Sequence, residues 1–356
     1  LTGGEVRALA RECGFELAGV ASAGPAEDMA RYRQWVEAGN AGEMRYLTGR
    51  RAALREDPRH LLPSARSIIC VGRLYQTPWP HTAKFRDEDR AWISRYAWGD
   101  DYHNVLRRGL ERLAARIAEL AGPFESKICV DTAPLVERSY ARLAGLGWIG
   151  KNTCLINQQG GSWFFLGELL VSLDLPPDAP PPDRCGTCRR CIDACPTAAI
   201  VPHGSGFTLD SRLCISYFTI ELRGGVAEEM RAAVGAHVFG CDICQDVCPW
   251  NRRAPVTADP GFAPRHFAPP LAEMAALSEP EFRAMFRGTP VTRARYSGFL
   301  RNVAIAMGNR ALPEFRAPLE KLAASGDLVV AEHARWALAR CQPARPITPL
   351  MTPGPR

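Results

Sequence analysis

The sequence predicts an α+β protein in three parts, and three observations carry that expectation. Amphipathic helical segments flank β-branched apolar runs over residues 1–175. Seven cysteines then crowd into two short motifs between Cys185 and Cys248. After Arg253, short amphipathic helices follow one another towards the C-terminal end. At 356 residues and 39.1 kDa, the chain is long enough for one large domain or two to three smaller ones.

Taken in order, LTGGEVRALARECGF and AEDMARYRQWVEAG carry apolar residues at helical spacing, so residues 1–66 are expected to be helical. SIICVGRLY (67–75) reads as a strand that breaks at Pro78 and Pro80. HNVLRRGLERLAARIAELAG (103–122) predicts an amphipathic helix with a glycine stop. KICVDTAPL (127–135) predicts a second strand running into a proline turn. TCLIN (153–157) and SWFFLGELLVSLDL (162–175), joined by QQGG, predict a hairpin. The proline-rich LPPDAPPPD (175–183) marks a boundary. FLRNVAIAMG, LPEFRAPLEKLAAS and LVVAEHARWALARC predict helical hairpins of a HEAT-like kind, too few to stand alone as a solenoid. The expected organisation is therefore a core over 1–175, a cysteine-rich module over 176–253, a helical region over 254–345 and a disordered tail over 346–356.

Composition narrows the function. No run of about 18 apolar residues is present, so no transmembrane helix is expected. The opening residues carry neither a basic-apolar signal nor a twin-arginine pair, which predicts a cytoplasmic protein. The net charge of +6 is compatible with nucleic acid without establishing it. Thirteen cysteines, an odd number with seven in two clusters, argue for metal–thiolate chemistry rather than a disulfide framework.

CGTCRRCIDACP places Cys185, Cys188, Cys191 and Cys195 at ferredoxin spacing with Pro196 behind them. CDICQDVCPW supplies Cys241, Cys244 and Cys248, one cysteine short, and Cys214 between the motifs is the natural recruit. In two-cluster ferredoxins the fourth cysteine of such a run ligates the other cluster. One cluster is then expected on Cys185, Cys188, Cys191 and Cys248, and the other on Cys195, Cys214, Cys241 and Cys244. With every iron capped by a thiolate, two [4Fe–4S] clusters would conduct electrons rather than bind substrate. Zinc is the competing reading, but zinc ribbons use paired C-x2-C motifs without the third close cysteine and trailing proline. Cys13, Cys70, Cys129, Cys154 and Cys341 fall in apolar patterns and are expected as buried structural thiols.

GLGWIGKN (145–152) imitates a nucleotide motif, but the expected order is helix before and strand after, the reverse of what a dinucleotide site needs. Asn152 also stands where a phosphate loop carries Ser or Thr. A tight helix-to-strand turn is the preferred reading. Asp131, interrupting ICVDTAPL, is either a turn-capping aspartate or a catalytic carboxyl.

With WGDDYHNVL, VDTAPL, AGLGWIGKN, CGTCRRCIDACPTAAI and CDICQDVCPW standing in this order, nearly the whole chain resembles the epoxyqueuosine reductases. The resemblance implies a cobalamin-binding core like that of reductive dehalogenases, with the ferredoxin-like module inserted and part of 205–235 contributing to the cobalamin and substrate site. It implies reduction of epoxyqueuosine in tRNA to queuosine, with cobalamin and two [4Fe–4S] clusters. Asp131 then matches the family's proton donor, with a pKa expected to be raised by burial. Arg55 matches a cobalamin contact. Ser94 falls where some members have cysteine, and a hydroxyl cannot perform thiolate addition. Leu155, Leu166 and Ser216 fall at further cobalamin-contacting positions. The implied partners are tRNA and a low-potential donor of ferredoxin or flavodoxin type, and the chain is expected to act as a monomer. Residues 283–316 hold seven arginines and one acid, which suggests a basic face. Arg293, Arg295 and Arg301 there, with Arg223, are the candidate tRNA contacts. The rival readings are a reductive dehalogenase acting on a small halogenated molecule and a ferredoxin-like electron carrier.

Overall fold

Two long apolar runs organise the N-terminal half. In the computed structural model, which describes residues 1–81 and 87–341, they form β2 (Ser67–Leu74) and β7 (Phe164–Val171). These are the central strands of an antiparallel sheet ordered β1-β2-β7-β4, with β1 at Leu17–Ser22 and β4 at Ser126–Cys129. An antiparallel sheet with one wet face alternates polar and apolar residues; here both faces are covered, so the central runs are apolar nearly throughout, interrupted by Arg73 in β2 and Glu168 in β7. On one face α1 (Gly3–Glu12) and α4 (Tyr102–Ala121) bury Val6, Leu9, Leu106, Leu110 and Leu113. On the other, α2 (Met29–Glu37) and α5 (Glu137–Leu143) bury Met29, Tyr140 and Ala141 against Ile68, Cys70 and Leu170. The short helix α3 (Gly49–Leu54) follows α2.

Two expectations for this half need correction. Residues 1–66 are not all helical, because LAGVAS forms β1, a strand whose alanine and glycine content hides its β character. Gly19 serves a close approach, since a Cβ there would lie 1.9 Å from the Ala144 carbonyl oxygen at the end of α5. The hairpin expected between TCLIN and SWFFLGELLVSLDL does not form either. β6 (Leu155–Ile156) pairs with β5 (Trp148–Ile149), and only an isolated Asn157–Gly161 bridge closes the QQGG turn. β7 is taken along its full length by β2, from Ser67 opposite Val171 to Leu74 opposite Phe164.

The cysteine-rich segment has little regular structure. It comprises α6 (Arg190–Asp193), the hairpin β8 (Ile200–His203) and β9 (Gly206–Leu209), a π-turn at Tyr217–Glu221, α7 (Glu228–Val234), β10 (His237–Phe239) and α8 (Ile243–Asp246). The final segment holds α9 (Leu271–Ala276), α10 (Glu279–Met285), α11 (Arg295–Arg310), α12 (Arg316–Ala323) and α13 (Leu328–Arg340). Eleven consecutive residues of α11, Gly298–Gly308, are buried, as expected of a helix surrounded on all sides. This region has no core of its own. Its cluster takes in Ile93 and Trp98 and also Val238 and Phe239, where β10 pairs in parallel with β3 (Trp92–Ile93). The tail expected to be disordered, 346–356, lies outside the described residues. Among the described residues no helix is long and apolar enough to cross a membrane.

Candidate active site and cluster sites

The first cysteine set comes together around a cavity of about 360 Å³ lined by Cys185, Cys188, Cys191 and Cys248. Three come from the loop before and into α6; the fourth arrives from beyond α8. Burial, then the neighbouring Cys185 and Cys248, push the Cys191 thiol up to about 11. Trp250, Pro249 and Ile156 form the apolar wall, and Lys151, Arg184 and Arg190 line the same space. Lys151 donates to the carbonyls of Gly186 (2.6 Å) and Cys188 (2.9 Å), so the GLGWIGKN turn braces the cysteine loop. The turn itself is a packing device, because a Cβ on Gly147 would lie 2.3 Å from the Ile156 carbonyl oxygen.

The second set is recognisable by mutual electrostatics. Burial raises the Cys241 thiol, and Cys214 and Cys195 raise it further. Cys214 likewise feels Cys195, and Cys244 feels Cys241 and Cys214. Cys13, Cys70, Cys129 and Cys341 are buried, but Cys154 is only half-buried and its thiol lies against that of Cys244. The expectation of Cys154 as a buried structural thiol is therefore corrected: it adjoins a cysteine of the second set.

A separate polar cluster surrounds Asp131. β4 ends at Cys129, and Asp131 follows with φ +47°, a left-handed conformation costly for a residue with a Cβ. α4 begins one turn away: its N-cap Asp101 accepts from the His103 backbone N–H, and the His103 ring then bridges two carboxylates. Nδ1 lies 2.7 Å from Asp101, and Nε2 lies 3.1 Å from Asp131. Burial alone would lower the His103 pKa, but the two carboxylates lift it to about 9. The same pairing corrects the expectation for Asp131. Burial pulls its pKa up, yet the His103 hydrogen bond and charge, with Arg293, hold it below the ordinary value. The carboxyl is thus ionised at neutral pH, while the His103 ring beside it is protonated.

Arg293 sits in this cluster, paired with Glu221 at 2.8 Å and 3.6 Å from Asp131. Its guanidinium lies 5.4 Å from the centre of the Tyr46 ring, and burial, together with Glu221, pushes the Tyr46 hydroxyl up to about 12. Sequence reasoning missed His103, Tyr46 and Glu221. The available signal was the D-x-H pattern at the start of α4, which reads equally well as an ordinary helix cap.

The remaining predicted residues divide. Arg301 is fully buried: it donates to the carbonyls of Leu222 (2.9 Å), Gly224 (2.6 Å) and Phe218, and so cannot meet a phosphate. With Asn302, which donates to Thr219 (2.8 Å) and Val238 (2.9 Å), it holds the π-turn in place. The tRNA assignment of Arg301 is corrected accordingly. Arg223 and Arg295 are exposed, and Arg223 donates to the carbonyls of Arg293 and Ala294 at 3.1 and 3.2 Å. Arg55 is buried and donates to the carbonyls of Tyr46 (2.9 Å) and Arg51 (3.0 Å). Ser94 is buried and donates to Asp242, directly after Cys241. Leu155 is buried, while Leu166 and Ser216 are half-buried. Ser216 immediately precedes the π-turn.

The wider relationships agree with this layout. The family model for epoxyqueuosine reductase QueG (DUF1730) matches residues 55–132, and a 4Fe-4S double cluster binding domain matches residues 184–251. An epoxyqueuosine reductase of Xanthomonas campestris pv. campestris is 43 % identical over 94 % of this chain and 95 % of its own. That of Escherichia coli K12 is 38 % identical over 92 % of this chain and 86 % of its own. A crystal structure of epoxyqueuosine reductase with a tRNA-Tyr epoxyqueuosine-modified stem loop superposes with a TM-score of 0.87 at 28 % identity, covering 95 % of this chain and 89 % of that one. The Bacillus subtilis enzyme, described with its catalytic aspartate loop swung out of the active site, gives 0.84 at 27 % identity over 95 % and 90 %. On identity sustained over more than nine-tenths of its length, the chain belongs to the epoxyqueuosine reductase family.

Proposed function

We propose that this oxidoreductase reduces the epoxide of epoxyqueuosine in tRNA to the alkene of queuosine, as a cytoplasmic monomer, using two [4Fe–4S] clusters and a cobalamin. The observation that carries this reading is a continuous connection. Cys214, of the second cysteine set, leads through Ser216 and the π-turn to Glu221, whose partner Arg293 reaches Asp131. A π-turn at such a junction is a common mark of a functional site. Leu155, Leu166 and Ser216 offer apolar surface and a hydroxyl. That donor set suits a flat macrocycle with its own metal ligands and not a bare ion.

The net reaction adds two electrons and two protons, and the epoxide oxygen leaves as water. When bound, the clusters would pass single electrons and the corrinoid would supply strongly reducing cobalt at the epoxide carbon. The chain's own residues manage the protons. His103 holds a proton 3.1 Å from Asp131, and Asp131 stands ready to transfer it as charge develops on the leaving oxygen. Arg293 and Tyr46 flank the same point and compensate that charge. A mere electron carrier would have no use for this arrangement, and a small halogenated substrate none for the adjoining exposed arginines.

Arg223 and Arg295 suit the phosphates of a tRNA stem. Burial lowers the Arg223 pKa and the Arg295 charge lowers it further, so the pair favours an intervening anion. The relative crystallised with a modified stem loop supports a tRNA partner. At the first cysteine set, Arg184, Arg189 and Arg190 are exposed. They suit an acidic one-electron donor of ferredoxin or flavodoxin type. The test is anaerobic incubation of the reconstituted protein with an epoxyqueuosine-bearing stem loop and a low-potential donor, followed by nucleoside mass spectrometry. Queuosine is the expected product; unchanged epoxyqueuosine would overturn the assignment.

A further inference from the structure

Glu168 lies mid-strand in β7, within the apolar run FFLGELLV. It is 0 % exposed, and neither carboxyl oxygen has a hydrogen-bond partner among the described residues. In the sheet it stands opposite Cys70 of β2 and Cys129 of β4, two further buried groups. An ionised carboxylate in that position would cost several kcal/mol. Its chief charged neighbour is Glu137, the first residue of α5. Burial raises both carboxyls; the Asp131 charge raises Glu137 further and the Glu137 charge raises Glu168 further, so the pair holds a proton at neutral pH. Glu137 faces Glu168 from the start of α5 and is the acceptor open to a protonated Glu168. Glu137 also accepts the backbone N–H of Asp131. The loop so held is the one that places Asp131 at φ +47° and closes with Thr132 N–H on the Val130 carbonyl at 2.5 Å.

We propose that Glu137 and Glu168 form a proton-sharing latch beneath the active site, in which protonated Glu168 donates to Glu137 and the Glu137 carboxylate receives the Asp131 N–H, fixing the Asp131 loop in place. Both glutamates are positioning residues; neither touches substrate. The latch rests on the reading of Asp131 as the residue at the reacting oxygen. Alkaline conditions remove the shared proton, and two facing carboxylates then repel and release the loop. The other titratable groups facing the pair are Cys70, Cys129, Asp131 and Arg138, with Lys127 and Arg107 further out along Cys129. Those two thiols are raised by burial and by the glutamates, so they add no competing negative charge at neutral pH.

The test reads the loop directly by hydrogen–deuterium exchange of the peptide covering 130–136 in the cluster-loaded protein from pH 6 to 9, corrected for intrinsic exchange. Glu137→Ala removes the acceptor and is expected to lower protection of the Asp131 amide roughly ten- to a hundredfold, the worth of a hydrogen bond to a charged group. It should lower kcat by a similar factor with KM nearly unchanged. Glu137→Gln, which keeps an acceptor oxygen, should restore most of both. Wild-type protection should decline as pH rises, and Glu168→Gln, which donates without titrating, should abolish that decline. Protection unchanged in Glu137→Ala, or a pH-dependent decline that survives in Glu168→Gln, would overturn the latch. Full activity in Asp131→Asn would instead sink the catalytic reading of Asp131, whatever the exchange data show.

Discussion

Replacing His103 by glutamine isolates the proton store at the active site. The ring lies between Asp101 and Asp131 at 2.7 and 3.1 Å, and its side chain is 28 % exposed. The rise from 6.5 to about 9 corresponds to about 3 kcal/mol in favour of the imidazolium. The sign follows from linkage. A histidine whose folded pKa is raised contributes fully below its unfolded value near 6.5, and that contribution disappears as pH climbs through about 9. Wild-type kcat/KM on a modified stem loop should therefore hold steady to about pH 8 and fall above 9. Glutamine retains an amide that donates to Asp131 but carries no transferable proton. The variant should lose roughly 10²- to 10⁴-fold in kcat, the range for a lost general acid, and its alkaline limb near 9 should vanish. Nucleoside mass spectrometry of anaerobic time courses from pH 6 to 10 measures both. A His103→Gln enzyme that keeps that limb, or loses less than about threefold, would refute the assignment of the proton to His103.

Other consequences follow from the same geometry. Cys248→Ala removes one thiolate from the first set and none from the second, so reconstituted protein should bind about half the wild-type iron and keep one EPR-visible cluster. Arg301→Met leaves the Phe218, Leu222 and Gly224 carbonyls without their donor. It should cost roughly 3 kcal/mol of stability in a denaturant melt, with the salt dependence of RNA binding unaltered. Arg223→Ala and Arg295→Ala should do the opposite, each reducing the salt slope of stem-loop binding by about 0.7 to 0.9 while leaving the melt unchanged.

The double-cluster module was legible because cubane chemistry dictates both residue type and spacing, and Cys185, Cys188, Cys191 and Cys248 do line one cavity. The central strands and α4 were legible because they bury continuous or periodic apolar faces. What escaped depends on tertiary context. β1 is short and rich in alanine and glycine, so its edge position and the Gly19 approach to Ala144 exist only once α5 is packed. Arg301 looks in sequence like any other arginine of a basic helix; burial in α11 turns it into a brace for the π-turn. Arg293 was read as an RNA contact, yet the 3-10 turn at Pro290–Ala294 swings it into the carboxylate cluster. Asp131 was legible as a residue and not as an ionisation state, since its pKa is set by His103, which lies 28 positions away in the chain.

The proposed reaction requires a corrinoid working between the cysteine clusters and Asp131. The most direct measurement is cobalamin titration of cobalamin-free, cluster-reconstituted protein, following the corrin absorption spectrum and queuosine formation together. One corrinoid per chain should bind, and product should rise in proportion to its occupancy. Full conversion of epoxyqueuosine with no corrinoid present would contradict the account.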